Sequence, residues 1–533
     1  MNDTPTEGMN RPHTMDLPSY DGTEPYLFVS YSHSDMADVR RVLQAIDREK
    51  FRFWYDDTME IGEDFREELR TKIENSSGIL LFISDASMAS KYCGMEIIIA
   101  YKNDKKIFPV YLRDDVEIPA PLKMILENLQ HVTGFGGANS DKYIAKLISG
   151  LPTETMRSFQ TEGTTLVRCK DGSEALTLPS EIVTVGAGAF KNCERLRVLH
   201  LGPTVEVLEK EALRGCKSLL ALTLPQNVRK VGESAFRDCI SLTSLHVENE
   251  EIELGERAFE NCALLSEVSL PDGLTEIYGG VFNSCKSLAA IKLPARLTVL
   301  GESSFADCVM LEEIDVPEHV TKVDDMAFSG CIELKRVRLR NRVTKIGKNA
   351  FKDCKSLETI RLPASVSFIG TGPFRGCSAL RAIEVDPHNK HFKSVENILF
   401  NKNKSVLISA PAQIEGERYA VPDSVTVISD WAFCECAGLH EIEIPDSVYE
   451  IGEGAFHLCT SLTTLTLPDS VTRIDDIAFR GCSALKTIVI PDSVKEFGWG
   501  VFNGCDNVTV ICNDSSAAAR YCEAKNIPHR KTL

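Results

Sequence analysis

The chain has 533 residues, of which 43% are hydrophobic and 26% are charged, and its formal net charge is −18. A chain of this length exceeds what a single hydrophobic core supports, so we expect two or more domains. The negative charge argues against nucleic acids and anionic membrane surfaces as partners, because both carry negative charge themselves. The 18 cysteines form no CxxC pair, so neither a zinc site nor any other metal site is expected.

The N-terminal segment 1–23 is polar and contains Pro5, Pro12 and Pro18. It lacks the apolar core of a secretory signal, and no run in the chain approaches the roughly 18 apolar residues of a membrane span. We therefore expect this segment to be disordered and the protein to be cytoplasmic, with no membrane partner.

The region 24–151 alternates predicted strands with predicted helices. Apolar patterns predict strands at 26–31, 51–55, 79–84 and 107–112, and helices at 35–50, 64–75, 96–103 and 142–149. This alternation favours an α/β domain in which a parallel sheet carries helices on both faces. Sheets of this kind bind ligands at the carboxyl ends of their strands.

Three segments of this region resemble the conserved boxes of TIR domains. They are YLFVSYSHSD at Tyr26–Asp35, FWYDDTMEIGEDF at Phe53–Phe65 and GILLFISDASMASKYCGMEIIIA at Gly78–Ala100. The first resembles box one, the second resembles the second strand and its loop, and the third resembles the fourth strand and the catalytic helix. The resemblance implies a flavodoxin-like fold for 24–151.

The TIR resemblance also implies a reaction. Some family members only associate with other TIR domains, whereas others cleave the bond between nicotinamide and ribose in NAD⁺. In the second group a glutamate follows an aromatic residue by four positions, as Glu96 follows Tyr92 here. Glu96 is thus implied as the catalytic carboxylate that stabilises positive charge on the ribose, with NAD⁺ as substrate and no cofactor. A helix-surface acid, or a charge at the helix N-terminus, is the alternative role.

Four further residues are candidates for contact with NAD⁺. Ser32 and His33 stand where NAD⁺-cleaving relatives often carry arginines or other polar groups, and both can hydrogen-bond phosphate or ribose. Tyr92 replaces the usual tryptophan and can stack on a planar ring. Phe65 aligns with an apolar residue of the loop at 60–65, which folds over the pocket. Packing in the core is an open alternative for both rings.

A 23-residue repeat occupies 166–512. One position of the repeat holds a cysteine in 13 copies, and the steps between them are 23 residues except for one of 59: Cys193, Cys216, Cys239, Cys262, Cys285, Cys308, Cys331, Cys354, Cys377, Cys436, Cys459, Cys482 and Cys505. The leucines alternate as in Leu222 and Leu224, which predicts a short strand that Pro225 ends. Because side chains in one position point the same way, buried reduced thiols are favoured over disulfides.

This repeat resembles the BspA-like leucine-rich repeats, which implies a β-rich solenoid whose coils share one core. The polar segment 152–165 is expected to be a linker. The long step contains an expected insertion at about 386–415, with a hairpin around 401–404. The segment 513–533 is expected to form a helical cap over the open end of the solenoid.

The outward positions of the repeat strands place Glu313 and Asp315 beside Arg336 and Arg338 of the next coil. Cross-strand ion pairing is the favoured explanation, and a binding surface is the alternative. The family resemblance implies a protein or glycan ligand, and no aromatic stripe indicates a nucleic-acid platform.

The sequence thus predicts an NAD⁺ hydrolase whose activity is regulated by a ligand- or partner-binding repeat array, in signalling or defence. Self-association of TIR domains is the switch that the resemblance implies. The alternative is a non-enzymatic adaptor that works through contacts between TIR domains.

Overall fold

The computed structural model describes residues 15, 17, 19–21, 25–49, 51–56, 63–127, 129, 140–152, 159–169 and 173–531. The side chains of 63–66 and 140 are outside this description. The chain divides into two compact units, Met1–Gln160 and Thr161–Leu533, and each is described by itself.

The first unit contains a four-stranded parallel sheet. Its strands are β1 (Leu27–Ser30), β2 (Phe53–Trp54), β3 (Gly78–Ile83) and β4 (Lys106–Tyr111). Their order across the sheet is β2-β1-β3-β4. The α-helices are α1 (Met36–Arg48), α2 (Glu63–Asn75), α3 (Asp85–Ala89) and α4 (Lys91–Lys102), which connect the strands, and α5 (Ala120–Leu126) and α6 (Ser140–Gly150), which follow β4.

Helices cover both faces of this sheet, as predicted for the fold class. On one face, Val42 and Ile46 of α1 pack with Ile144 of α6. On the other face, buried apolar residues of α2, α4 and α5 form a second cluster. The strands between the two clusters are almost entirely buried, which explains their continuous apolar sequence.

Two short helices were not predicted, and a third begins earlier than expected. The hydroxyl of Ser84 accepts a hydrogen bond from the backbone N–H of Ser87 at 3.0 Å and begins α3. Pro121 lies in the first turn of α5, where its fixed φ suits a helix start. The hydroxyl of Ser90 caps α4, which therefore starts at Lys91 rather than near Glu96.

Part of the segment expected to be disordered is packed against the first unit. Met15 is buried, and its carbonyl accepts a hydrogen bond from the Tyr55 hydroxyl at 2.9 Å. The Ser19 hydroxyl donates to the Tyr55 carbonyl at 3.0 Å. The polar composition of 1–23 concealed these contacts, and the other residues of the segment lie outside the description, except 17, 20 and 21.

The second unit is a solenoid with two ladders of short parallel strands. The first ladder contains mainly two-residue strands, which are β8 (Thr184–Val185), β10 (Val207–Leu208), β12 (Lys230–Val231), β14 (Glu253–Leu254), β16 (Glu276–Ile277), β17 (Val299–Leu300), β19 (Lys322–Val323), β21 (Lys345–Ile346), β23 (Phe368–Ile369), β29 (Val427–Ile428), β31 (Glu450–Ile451), β33 (Arg473–Ile474) and β35 (Glu496–Phe497). At its N-terminal end lie β5 (Phe159–Glu162) and β6 (Thr165–Cys169). Strand β5 falls within the segment 152–165 that was expected to be a linker.

The second ladder contains the alternating leucine strands. They are β7 (Ala175–Thr177), β9 (Val198–His200), β11 (Ala221–Leu224), β13 (Ser244–Val247), β15 (Glu267–Ser269), β18 (Glu313–Asp315), β20 (Arg336–Arg338), β22 (Thr359–Leu362), β24 (Ala382–Val385), β28 (Arg418–Ala420), β30 (Glu441–Glu443), β32 (Thr464–Thr466), β34 (Thr487–Val489), β36 (Thr509–Ile511) and β37 (His529–Arg530). Neighbouring strands pair one repeat apart, for example Leu222 with Leu245. Each strand therefore exposes two residues of its coil on one shared face.

Stacked phenylalanines and buried thiols fill the core between coils. Ring centroids of successive phenylalanines lie 5.2 Å apart for Phe236 and Phe259, with the ring planes nearly parallel. The Cys308 thiol donates to the Phe282 carbonyl of the preceding coil at 3.2 Å, and the same contact recurs along the array. All 18 cysteines are free, as the sequence predicted.

The insertion and the C-terminal segment both extend the ladders. The insertion contains β25 (Phe392–Val395), β26 (Ile398–Asn401) and β27 (Val406–Ser409), one strand more than the expected hairpin. These three strands pair antiparallel in sequence order, and β27 then pairs in parallel with β29 of the first ladder. At the C-terminus, α7 (Ala517–Lys525) buries Ala518, Ala519 and Cys522, and β37 pairs with β36. Among the described residues, no helix has the length and apolar character needed to cross a membrane.

Candidate functional site

Glu96 lies on the inward face of α4. The helix buries Cys93, Glu96, Ile97 and Ala100, which is the spacing of one helical face. Only 8% of Glu96 is exposed, and it lies beyond the first turn of the helix. The structure therefore excludes the surface and N-terminal roles that the sequence left open.

Ser30 holds the Glu96 carboxyl group at the carboxyl end of β1. The buried Ser30 hydroxyl donates a hydrogen bond to Glu96 Oε2 at 2.5 Å, and Ser30 is the last residue of its strand. Strands β1 and β3 are neighbours at the centre of the sheet. The chain order reverses at this point, which is where doubly wound sheets bind ligands.

Burial raises the pKa of Glu96 from its ordinary 4.5 to about 8. The hydrogen bond from Ser30 opposes this rise, and the nearby Asp56 carboxylate adds to it. No lysine or arginine among the described residues forms an ion pair with Glu96. Because an incoming cation would favour the ionised form, the site is suited to a positively charged ligand.

Cys93, one turn before Glu96, is a packed thiol. Its Sγ donates to the Tyr31 carbonyl at 3.4 Å. Burial raises its pKa to about 11, and the charge of Glu96 adds to the effect. The thiol therefore stays protonated at neutral pH and is unsuited to nucleophilic attack.

A second contact joins the loops after β1 and β3. Ser84, directly after β3, donates its hydroxyl hydrogen bond to Asp35 Oδ2 at 2.5 Å. The sequence patterns singled out neither Ser30 nor Ser84. Ser84 ends the predicted strand at 79–84 and Ser30 is the next-to-last residue of the predicted strand at 26–31, so the rule that ligands bind at carboxyl ends of strands could have found them.

The predicted NAD⁺-contact residues lie partly around this point. Ser32 and His33 follow β1 directly; Ser32 is half-buried and its hydroxyl shares a hydrogen bond with Ser34 at 2.9 Å. His33 is exposed, with its ring 5.3 Å from that of Tyr31. Tyr92 lies in the first turn of α4 and is 38% exposed.

Phe65 belongs to α2, but its side chain lies outside the description, as do residues 60–62 of the predicted loop. Within the described residues, no group of three or more His, Cys, Asp or Glu side chains is placed to hold a metal ion.

The charged coils of the solenoid pair across strands, which is the explanation that the sequence favoured. Arg336 lies opposite Glu313 in the register of β18 and β20, and its Nη2 contacts Glu313 Oε2 at 2.6 Å. Arg340 donates two hydrogen bonds to Asp315, at 2.7 and 3.0 Å.

Two family models match the chain. The model for the BspA type Leucine rich repeat region matches in six copies over residues 168–289, 298–416 and 412–520. The TIR domain model matches residues 27–148. No curated protein matches the chain.

Several solved structures are similar to the solenoid. A leucine rich cell surface protein from Faecalibacterium prausnitzii A2-165 is 24% identical over 72% of this chain and 100% of its own, with a TM-score of 0.49. A leucine-rich repeat protein from Bacteroides ovatus ATCC 8483 is 25% identical over 69% of this chain and 94% of its own, with a TM-score of 0.49.

The repeat model covers more than half of the chain, and the TIR model covers about three quarters of the first unit. A TIR domain joined to leucine-rich repeats supports a role in signalling or defence. The chain belongs to the BspA-type leucine-rich repeat family and carries a TIR domain at residues 27–148.

Proposed function

We propose that the TIR domain hydrolyses NAD⁺ and releases nicotinamide, with Glu96 as the catalytic carboxylate. The observation that supports this most strongly is a buried carboxyl group at the carboxyl end of β1, without a basic partner among the described residues. Burying an ionisable group without a counter-charge is costly, and such groups concentrate at functional sites. A cationic ligand would supply the missing charge.

The chemistry of NAD⁺ cleavage uses this arrangement directly. Nicotinamide leaves as a neutral base with the electron pair of its bond to the ribose, so positive charge develops on the ribose. An ionised Glu96 beside that charge lowers its energy, and the weakly solvated site strengthens the attraction. Water then adds to the ribose carbon and loses a proton, which gives ADP-ribose. Ser30 positions the carboxylate and favours its charged form, because its hydroxyl donates to it.

Substrate positioning is assigned to four residues. Ser32 and His33, on the loop after β1, would hydrogen-bond phosphate or ribose. The exposed part of the Tyr92 ring would stack on a planar ring of NAD⁺. Phe65, in the first turn of α2, would cover the pocket together with the loop before it.

Regulation is assigned to the repeats and to TIR self-association. A protein or glycan ligand on the solenoid would bring TIR domains together, and neighbouring domains would complete each other's pockets. The cytoplasm is the proposed location, in a signalling or defence response.

The test is nicotinamide release from the purified full chain, measured by chromatography at pH 7 and pH 9. We expect Glu96→Gln to lower the rate by about 100-fold or more, since preorganised charge stabilisation has effects of that size. Glu49→Gln is the matched control, because Glu49 is exposed at the C-terminal end of α1, in the connection to the amino end of β2, whereas Glu96 lies at the carboxyl end of β1. Equal rates for wild type and Glu96→Gln would refute the assignment.

The same experiment separates the enzyme from the adaptor. The full chain is also assayed after biotinylation and capture on streptavidin, which brings TIR domains together. No release by the free or the clustered protein would favour the adaptor function.

A further inference from the structure

A cavity of about 980 Å³ opens on the face of the second ladder. In this part of the ladder, hydrogen-bonded pairing is missing between β15 and β18 and between β20 and β22. We call the cavity the arginine groove. Its charged lining includes Lys292, Glu313, Asp315, Arg336, Arg338, Arg361 and Asp386. The volume lies within the range of ligand-binding clefts.

Arg338 forms only a long ion pair with a carboxylate. Its guanidinium is 3.6 Å from Asp315, beyond hydrogen-bond distance, and its side chain is 70% exposed. Asp315 instead accepts both hydrogen bonds of Arg340. Arg340 occupies the position that holds a proline in the neighbouring copies, at Pro317 and Pro363.

Arg361, on the next coil, also forms only a long ion pair with a carboxylate. Its nearest carboxylate is Asp386 at 3.7 Å, and its side chain is 68% exposed. Asp386 accepts a hydrogen bond from the backbone N–H of His388 at 2.9 Å, and it also faces the His388 ring. Glu384 lies opposite Arg361 in the strand register but forms no ion pair with it in this fully described part of the solenoid.

Arg338 and Arg361 are 23 residues apart and so hold the same position in neighbouring coils. Their strands, β20 and β22, lie next to each other without hydrogen-bonded pairing, so the two like charges are on neighbouring coils, an arrangement that an anion between them would stabilise. Each guanidinium presents paired N–H donors that match the two oxygens of a carboxylate. The pair is therefore suited to carboxylate groups.

We propose that the arginine groove binds an acidic peptide segment of a partner protein, with its carboxylates on Arg338 and Arg361. The lining also contains the half-buried Val337 and Leu339, which suit apolar peptide side chains, and it contains no aromatic ring on which a sugar would stack. The proposal rests on the proposed docking role of the repeats and is independent of NAD⁺ cleavage, so its test measures binding alone.

The test is fluorescence anisotropy of the full chain with a fluorescein-labelled peptide of alternating Glu and Gly. A peptide of alternating Gln and Gly is the neutral comparison. We expect the acidic peptide to bind at low salt and to bind more weakly as salt rises, because exposed charges are screened. The double variant Arg338→Gln/Arg361→Gln should weaken binding at least about tenfold.

The control is Arg229→Gln/Arg473→Gln, which removes two exposed cations from the first-ladder side. It should leave peptide binding unchanged. No binding of the acidic peptide, or equal loss in both double variants, would overturn the proposal. Tighter binding of oligogalacturonate, a carboxylate-bearing glycan, than of the peptide would overturn the peptide assignment.

Folding of the variants is checked by thermal unfolding. Because Arg338 and Arg361 repel each other, Arg361→Gln should unfold at the same temperature as wild type or higher. Arg340→Gln should unfold at a lower temperature, since it breaks the two hydrogen bonds to Asp315. A lower unfolding temperature for Arg361→Gln would show a structural ion pair and contradict an open anion site.

Discussion

At the scale of single residues, Glu96 makes stability depend on pH even without substrate. Its pKa is about 8 in the folded chain, and its ordinary value is 4.5. Between these values the folded state binds more protons than the unfolded state, so this residue lowers stability as pH rises through the window. We expect Glu96→Gln to raise the free energy of unfolding at pH 8 by on the order of 2 kcal/mol, but not at pH 4.

Denaturant unfolding at pH 4 and pH 8 measures the free energy of unfolding. The transition of the TIR unit is followed separately from that of the solenoid. Glu49→Gln should change neither value, because Glu49 is exposed. If Glu96→Gln were less stable than wild type at both pH values, Glu96 would be a structural partner rather than a strained ionisable group.

Ser30 should set the pH at which Glu96 becomes active. Its hydroxyl stabilises the charged carboxylate, so Ser30→Ala should raise the pKa of Glu96 further. We expect the pH profile of nicotinamide release to move to higher pH and the rate at pH 7 to fall by up to about tenfold, because a smaller fraction of Glu96 is then ionised. A loss that is equal at every pH would mean that Ser30 acts only in packing.

At the scale of elements, the recurring cysteine supplies a hydrogen-bond donor as well as a small buried side chain. Removing the thiol of Cys308 would leave the buried Phe282 carbonyl without this partner. We expect Cys308→Ala to destabilise the solenoid by about 1–3 kcal/mol, and Cys308→Ser to cost less because it keeps a donor. The measurement is the denaturant midpoint of the solenoid transition. Equal midpoints for Cys308→Ala and wild type would assign the cysteine to packing alone.

The comparison of predicted and observed elements shows which features of the fold follow from local sequence patterns. The 23-residue period predicted the solenoid because every coil repeats the same contacts, and apolar runs predicted the sheet of the TIR domain. Helix α3 was missed because its five residues are too few for a periodic pattern. The contact between Ser30 and Glu96 joins residues 66 apart, so it follows from the fold and not from local sequence. Likewise, the weak pairing of Arg338 depends on the tertiary contacts of Asp315, which accepts its hydrogen bonds from Arg340 instead.

At the scale of the whole molecule, the negative net charge is not evenly distributed over the surface. The chain has a formal net charge of −18, yet the arginine groove has two arginines with only long ion pairs on neighbouring coils. On the TIR domain, three exposed apolar residues lie on the adjoining helices α4 and α5: Ile98, Tyr101 and Met124 are 38%, 54% and 78% exposed. Clusters of this kind often mark protein contacts.

The proposed TIR self-association should make catalysis depend on protein concentration, and we propose these exposed residues of α4 and α5 as its contact surface. We expect nicotinamide release per chain to rise with concentration, because association would complete the pockets. Met124→Glu places a charge on α5, away from Glu96, and should lower the rate of concentrated protein to that of dilute protein, while the dilute rate stays unchanged. Sedimentation velocity should show the same variant to be less associated. A release rate per chain that is constant over a wide concentration range would mean that each TIR domain works alone.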